Sequence, residues 1–169
     1  MTEPSHVPEV RTRAVVLAAS TCIGFMLLGS LFGWLTTAEP DLEWYEGLVR
    51  PAFEPPAVLV LLVHLLYYPL FFVLFFRAFS LPHDRGTRRR IVGLALGAMA
   101  IYTAWNPLLV GFRALVFGVA GNVVLFGVVG LLALVLRRQD RLSALLLLPY
   151  LLWVAFDVLW SFELLRLNP

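Results

Sequence analysis

The chain has no lysine: all thirteen of its basic residues are arginine. It has one cysteine, Cys22, so an internal disulfide is impossible. Cys22 reads as a packed core thiol. With no CxxC pair and no Cys/His cluster, no structural metal site is indicated. Charge is scarce, at 14% of residues against 60% apolar, where soluble domains carry roughly 25% charged residues. Nothing alternates with period two over about ten residues, which argues against a membrane β-barrel. Internal repeats, low-complexity segments and domain boundaries are also missing.

What the chain does contain is apolar runs. Uncharged stretches occupy 14–35, 57–76, 91–112 and 114–136, and a fifth, 142–162, is interrupted only by Asp157. Each is long enough to cross a hydrocarbon core of about 30 Å at 1.5 Å per helical residue. The expected architecture is all-α: residues 1–169 form one membrane domain of five transmembrane helices. The spans are expected at about 14–35, 57–79, 91–109, 114–136 and 143–166, with an outer loop over 36–56. Residues 1–10 read as a polar tail. Arg11, Arg13 and "TTA" at 36–38 imitate a signal peptide. The first run is longer than the usual 7–15 residue signal core, so it is expected to remain as a span.

The arginines set the orientation. Arg11 and Arg13 precede span 1; Arg77, Arg85, Arg88, Arg89 and Arg90 lie between spans 2 and 3; Arg137, Arg138 and Arg141 lie between spans 4 and 5. These places share one side of a five-span chain. The other side holds Arg50, Arg113 and Arg166, with Glu39, Asp41, Glu43, Glu46 and Glu54 in the first loop. The positive-inside rule then puts the N-terminus in the cytoplasm and the C-terminus outside. The "RRR" run reads as an anchor beside anionic headgroups and not as nucleic-acid binding. Exclusive arginine usage points to a bacterium with a GC-rich genome, hence a bacterial cytoplasmic membrane.

Polar and amphipathic side chains gather at one depth. Counting along the spans places His64, Asn122, Tyr102, Trp105, Asn106, Asp157 and Trp160 within two or three turns of the outer surface, with Tyr67 and Tyr68 slightly deeper. An ionisable group in a span must face protein, water or a partner, and it marks a candidate functional site. Asp157 is the clearest case, with Trp153 and Trp160 at i−4 and i+3 on its own helical face. His64 is a partner for it at matching depth, or else a hydrogen-bonded packing residue. Asn106 and Asn122 either line a site or bond neighbouring helices. Trp34 and Trp44 either join it or belong to an outer aromatic belt.

Rings with a few polar groups suit a small-molecule site. The stretch "WYEGLVRPAFEPP" (44–56) lies above its mouth. Pro51, Pro55 and Pro56 bar a helix interior there, so the segment reads as an irregular, stiff lid. An ordered lid loses less entropy when ligand binds.

That stretch resembles the tryptophan-rich sensory protein / translocator protein family, also called the peripheral benzodiazepine receptor family, whose members have Trp-Tyr, a basic-Pro pair, an aromatic and Pro-Pro at this spacing. Tyr68, "WNPLLVGFR" (105–113), "PYLLWVAF" (149–156) and "RLN" (166–168) are similar to family elements in the same order. The chain departs at Phe53, His64, Tyr102, Leu109–Val110, Asp157 and Trp160, where the family favours other residues. The animal members' cholesterol-recognition pattern is absent, since no basic residue follows Tyr150 closely.

The resemblance implies a non-enzymatic binder, carrier or sensor of a lipophilic small molecule, a porphyrin, haem or sterol-like ligand, with no required cofactor. It implies Trp44, Pro51, Pro55 and Pro56 in the lid, and Tyr68, Trp105 and Trp153 at the cavity. To these the residues themselves add Tyr45, Phe53, Asn106, His64, Asp157 and Trp160, with His64 a candidate axial haem ligand. A homodimer through span 3 is also implied. There Gly93, Gly97, Ala100 and Ala104 form a small-residue face that permits close backbone approach. The alternative is a membrane enzyme with His64 and Asp157 as acid–base pair. A proton pathway through the same two residues is disfavoured, because the inner half offers no polar continuation.

Overall fold

A computed structural model describes the backbone of residues 6–36 and 39–169, and the side chains of residues 9–35, 43–105 and 108–169. Among the described residues six helices follow in order: α1 (His6–Thr36), α2 (Glu39–Glu46), α3 (Ala57–Ser80), α4 (Arg85–Gly111), α5 (Leu115–Gln139) and α6 (Arg141–Leu167). All but α2 are long and apolar enough to cross a membrane. The protein is an all-α membrane bundle. Its long helices form a ring in the order α1, α3, α6, α5, α4, back to α1, and α2 lies against α4. The end bearing α2 is the loop end; the other is the arginine end.

The ring is held by narrow inward stripes. On α5 the buried residues are Leu115, Gly118, Asn122, Leu125, Val129, Leu132 and Leu136, spaced alternately by three and four. On α6 they are Ser143, Leu147, Tyr150, Val154, Ser161 and Leu164. A repeat averaging 3.5 residues keeps two helices facing each other along their length. Among its described residues α1 contributes only Ala14, Ala18 and Cys22 to the core. Outward-facing Leu145, Leu152 and Leu159 are largely exposed. In a membrane that surface meets lipid tails.

The connections at the arginine end are short and bonded. The Asp84 carboxylate caps α4, accepting from Gly86 and Thr87 N–H at 2.9 and 3.0 Å. Arg88 reaches back to the Ala78 and Leu81 carbonyls that end α3. Asp140 alone joins α5 to α6. Its N–H closes α5 on the Leu136 carbonyl, and its carboxylate caps α6 at Ser143 N–H. Arg77 of α3 grips both Asp140 oxygens, at 2.8 and 2.7 Å, and donates to Ser143 Oγ. One residue thus ties three helices.

At the loop end, α4 stops in a reverse turn. Ala114 N–H bonds the Leu109 carbonyl and Arg113 N–H the Val110 carbonyl, with Arg113 left-handed at φ 49°. This pairing of bonds closes a helix C-terminus and more often uses glycine at that position.

One expectation needs correcting. Trp44 and Tyr45 lie on helix α2, not on irregular chain. The only proline inside it, Pro40, is in its first turn, where a missing N–H interrupts no helical bond. Pro51, Pro55 and Pro56 act only after that helix has ended.

Candidate ligand site at the loop end

The site begins where α4 comes close to α5. A Cβ at Gly121 would stand 2.8 Å from Trp105 Cβ, and one at Gly118 would collide with the Leu109 side chain. Two glycines one turn apart therefore seat the end of α4. Around it Trp44, Tyr45 and Leu48 of the α2 segment join Trp105 and Trp160 against buried Leu109, Val110, Leu115 and Leu164. Trp34, by contrast, is 79% exposed, as a member of an interfacial belt would be.

Two further ring groups continue downward. The Phe53 and Phe156 rings meet edge-on at 6.1 Å, and Trp153 lies 5.6 Å from Phe156. Deeper, Tyr67 stacks on Tyr102 at 4.0 Å and touches the rings of Tyr68 and Tyr150. Beside these, an apolar cavity of about 380 Å³ between α3 and α6 is lined by Tyr67, Tyr150, Trp153 and the helix prolines Pro69 and Pro149.

Asp157 takes the next place in the α6 stripe, three residues after Val154 and four before Ser161. Its carboxylate therefore faces the bundle interior, within electrostatic reach of Tyr45, Tyr102 and Tyr150. Its main-chain carbonyl accepts from Asn122 Nδ2 at 3.2 Å. The Tyr67 and Tyr150 hydroxyls, Trp160 Nε1 and Asn122 Oδ1 are buried with no hydrogen-bond partner among the described residues. Buried polar groups ordinarily have partners. Four orphans in one region mark a place able to bond something further.

His64 stands apart from Asp157. Its Nδ1 bonds the Val60 carbonyl at 2.8 Å, one turn back. That contact sets Nδ1 as the N–H and leaves Nε2 as acceptor or ligand. Its ring is 6.1 Å from Tyr102, and it lines an open cavity of about 680 Å³ with Glu54, Pro55 and Val60. No hydrogen bond or ion pair joins it to Asp157. His64 is exposed, whereas Asp157 is half-buried on the inward stripe of α6.

The lid is organised by Arg50 and Asn168. The Arg50 guanidinium lies 4.7 Å over the Tyr45 ring, donates to the Tyr45 carbonyl at 3.1 Å and pairs with Glu54 at 3.4 Å. Asn168 bonds both the N–H and the carbonyl of Val49. Pro51 is buried beneath, while Phe53 remains half-exposed. Burial pushes the Tyr45 phenol above its ordinary pKa, partly opposed by the charge of Arg50.

Of the expected site residues, Trp44, Tyr45, Trp105 and Trp160 share one cluster, and Phe53 and Trp153 share another through Phe156. Tyr68 stands against Tyr67, and Pro55 shares the His64 cavity. Pro56 is the N-cap of α3. The side chain of Asn106 lies outside the described residues. On α4, Gly93 and Ala100 face outward, Ala104 is half-buried, and a Cβ at Gly97 would stand 3.8 Å from Val128 of α5. Sequence reasoning missed Tyr150, Arg50, Gly121 and Asn168 as parts of this end. Arg50, Tyr150 and Asn168 carried a signal, lying in the basic-Pro, "PYLLWVAF" and "RLN" elements, and Tyr150 is also a hydroxyl two 3.5-residue repeats from Asp157.

Five spanning helices in a ring, with an aromatic segment strapped over one end, define a small integral membrane protein. The chain belongs to the TspO/MBR family, whose model matches residues 21–167. It is 28% identical over 158 residues to "Tryptophan-rich protein TspO" of Chlorobaculum tepidum, covering 91% of this chain and 98% of that one. It is 29% identical to the "Translocator protein" of Sus scrofa, covering 86% and 89%. To "Protein CrtK" of Rhodobacter capsulatus it is 30% identical, covering 92% of each.

Proposed function

We propose that the protein binds a lipophilic small molecule under the Trp44–Pro56 lid, as a carrier or sensor, and that the ligand is a tetrapyrrole or a sterol-like molecule. The observation that carries this reading is the set of orphaned polar groups around Asp157, set among rings. A flat macrocycle offers large faces to Trp44, Trp105, Trp153 and Trp160. Its polar edge offers partners for the Tyr67 and Tyr150 hydroxyls and Trp160 Nε1. The free Nε2 of His64 supports axial ligation of a haem iron at the second, neighbouring cavity. The names "Translocator protein" and "Tryptophan-rich sensory protein" of relatives support carriage or sensing over chemistry. The alternative of an acid–base enzyme built on His64 and Asp157 draws no support from a bond between the two, since the described contact of the His64 ring is with the Val60 carbonyl.

In the bacterial cytoplasmic membrane this reading places the lid outside and the arginine end in the cytoplasm, following the arginine distribution. The outward Gly93 and Ala100 support a homodimer through α4.

The test is a titration of the detergent-purified protein with protoporphyrin IX and with haemin, following tryptophan fluorescence and the Soret band. Saturable quenching weakened in Phe53→Ala and Asp157→Asn is expected. A Soret shift with haemin lost in His64→Ala alone identifies the axial ligand. Absence of saturable binding to either tetrapyrrole removes that ligand class, and sterols become the next probe.

A further inference from the structure

The arginine end carries a second site, independent of the first. A cavity of about 820 Å³ between α4 and the α5–α6 joint is lined by Thr87, Arg90, Arg137, Arg138, Gln139 and Arg141. Among the described residues none of these four arginines pairs with a carboxylate. Asp84 lies within electrostatic reach of Arg90, but its oxygen is engaged in capping α4. Asp140 next door is held by Arg77. Four guanidiniums thus converge on one hollow with no local anion to balance them.

A groove of about 730 Å³ shares Leu134, Arg137 and Arg141 with that cavity. It runs between α5 and α6 over Ala133, Ala144, Leu148 and Leu151. From Arg141 to Leu151 is ten residues, or about 15 Å of helix. That is the depth of one leaflet, half of a hydrocarbon core of about 30 Å. Gly130, Ala133 and Ala144 leave room among the leucines that line it, and a Cβ at Gly130 would meet nothing within 4 Å. The apolar length begins where the charge ends.

We propose that this is a binding site for one anionic phospholipid, its phosphate held by Arg137, Arg141 and Arg90 and one acyl chain laid along the α5–α6 groove. Arginine presents a rigid fork of donors suited to phosphate oxygens. The guanidinium excess selects a net-negative headgroup over a zwitterionic one. The one-leaflet groove selects a lipid over a soluble phosphate.

The experiment is native mass spectrometry in mild detergent, with phosphatidylglycerol, phosphatidylcholine and glycerol 3-phosphate added separately. Melting temperature is followed in the same series. Retention of one phosphatidylglycerol, preferred over phosphatidylcholine, is expected, with no comparable effect of glycerol 3-phosphate. The double variant Arg137→Gln/Arg141→Gln weakens retention by roughly thirtyfold, the scale for two arginines near a membrane surface. Gly130→Leu, which fills the groove but keeps the charge, weakens it as well. Arg85→Gln/Arg89→Gln removes as much charge from the same end outside the cavity and leaves retention unchanged. Equal retention of both lipids overturns the proposal. So does an equal effect of glycerol 3-phosphate, or equal loss in both arginine double variants.

Discussion

The carboxamide of Asn168 holds Val49 at both faces of its main chain, accepting from its N–H at 2.9 Å and donating to its carbonyl at 3.0 Å. The two residues are 119 positions apart. A third bond, from Nδ2 to the Leu164 carbonyl at 2.9 Å, ties the same amide to its own helix. The lid is therefore fastened to the last turn of α6 and not only stiffened by its prolines.

Asn168→Ala is expected to loosen the lid without unfolding the bundle. A lost hydrogen-bond pair is worth about 1–2 kcal/mol here, so hydrogen exchange at residues 48–50 rises by roughly tenfold. Asn168→Asp is expected to be worse, because a carboxylate faces the carbonyls of Val49 and Leu164. Exchange rates no faster than in the native protein leave the lid's order to Arg50 and the prolines.

Asp140 makes stability acid-sensitive. The Arg77 guanidinium, and secondarily Ser143, lower its pKa from 3.8 to about 2 against the opposing effect of burial. A depressed carboxylate stabilises the fold above its unfolded pKa. That contribution, about 2 kcal/mol, disappears as pH falls from near 4 through 2. Thermal melts between pH 2.5 and 6 should lose this acid limb in Asp140→Asn. Asp140→Ala leaves Arg77 unpaired and should cost about 3 kcal/mol at neutral pH.

Gly121 should tolerate no side chain. An added Cβ meets Trp105 Cβ at 2.8 Å, so α4 must move outward. Gly121→Ala is expected to cost about 1 kcal/mol and Gly121→Val about 3 kcal/mol. Detergent melting checks the order, and tryptophan emission should shift with it.

Asp157 should separate stability from binding. It occupies a stripe position otherwise held by Leu, Val, Tyr and Ser. Replacing a buried ionisable group by an apolar one is often neutral or stabilising by about 1–4 kcal/mol. Asp157→Leu is expected to melt at or above the native temperature while tetrapyrrole quenching weakens. A sharp fall in melting temperature instead makes Asp157 a structural residue.

The five spans are legible because each is an uncharged run closed by arginine, proline or a polar turn. Which face of each span turns inward is not. Leu132 and Leu136 are buried while Leu131 and Leu134 face outward, yet all four are leucine, because lipid and core are equally apolar. Depth follows from counting, so Asp157, Trp105 and Trp160 come out near one level. Azimuth does not, so depth alone leaves His64 both readings, partner of Asp157 or hydrogen-bonded packing residue, and its bond to the Val60 carbonyl fits the second. Helix α2 hides in an acidic stretch that reads as loop, and "RLN" marks Asn168 without showing that its amide reaches Val49 across the bundle.

The single-residue joint at Asp140 has a mechanical consequence. With α5, α6 and α3 riveted at one point, and α3 and α4 sealed to each other by Asp84 and Arg88, the arginine end has no hinge. The loop end is closed instead by side chains on a long connection, while the residues that α1 buries among those described, Ala14, Ala18 and Cys22, lie in its arginine-end half. Any breathing of the barrel must then be a splaying of its upper staves, like petals above a fused base.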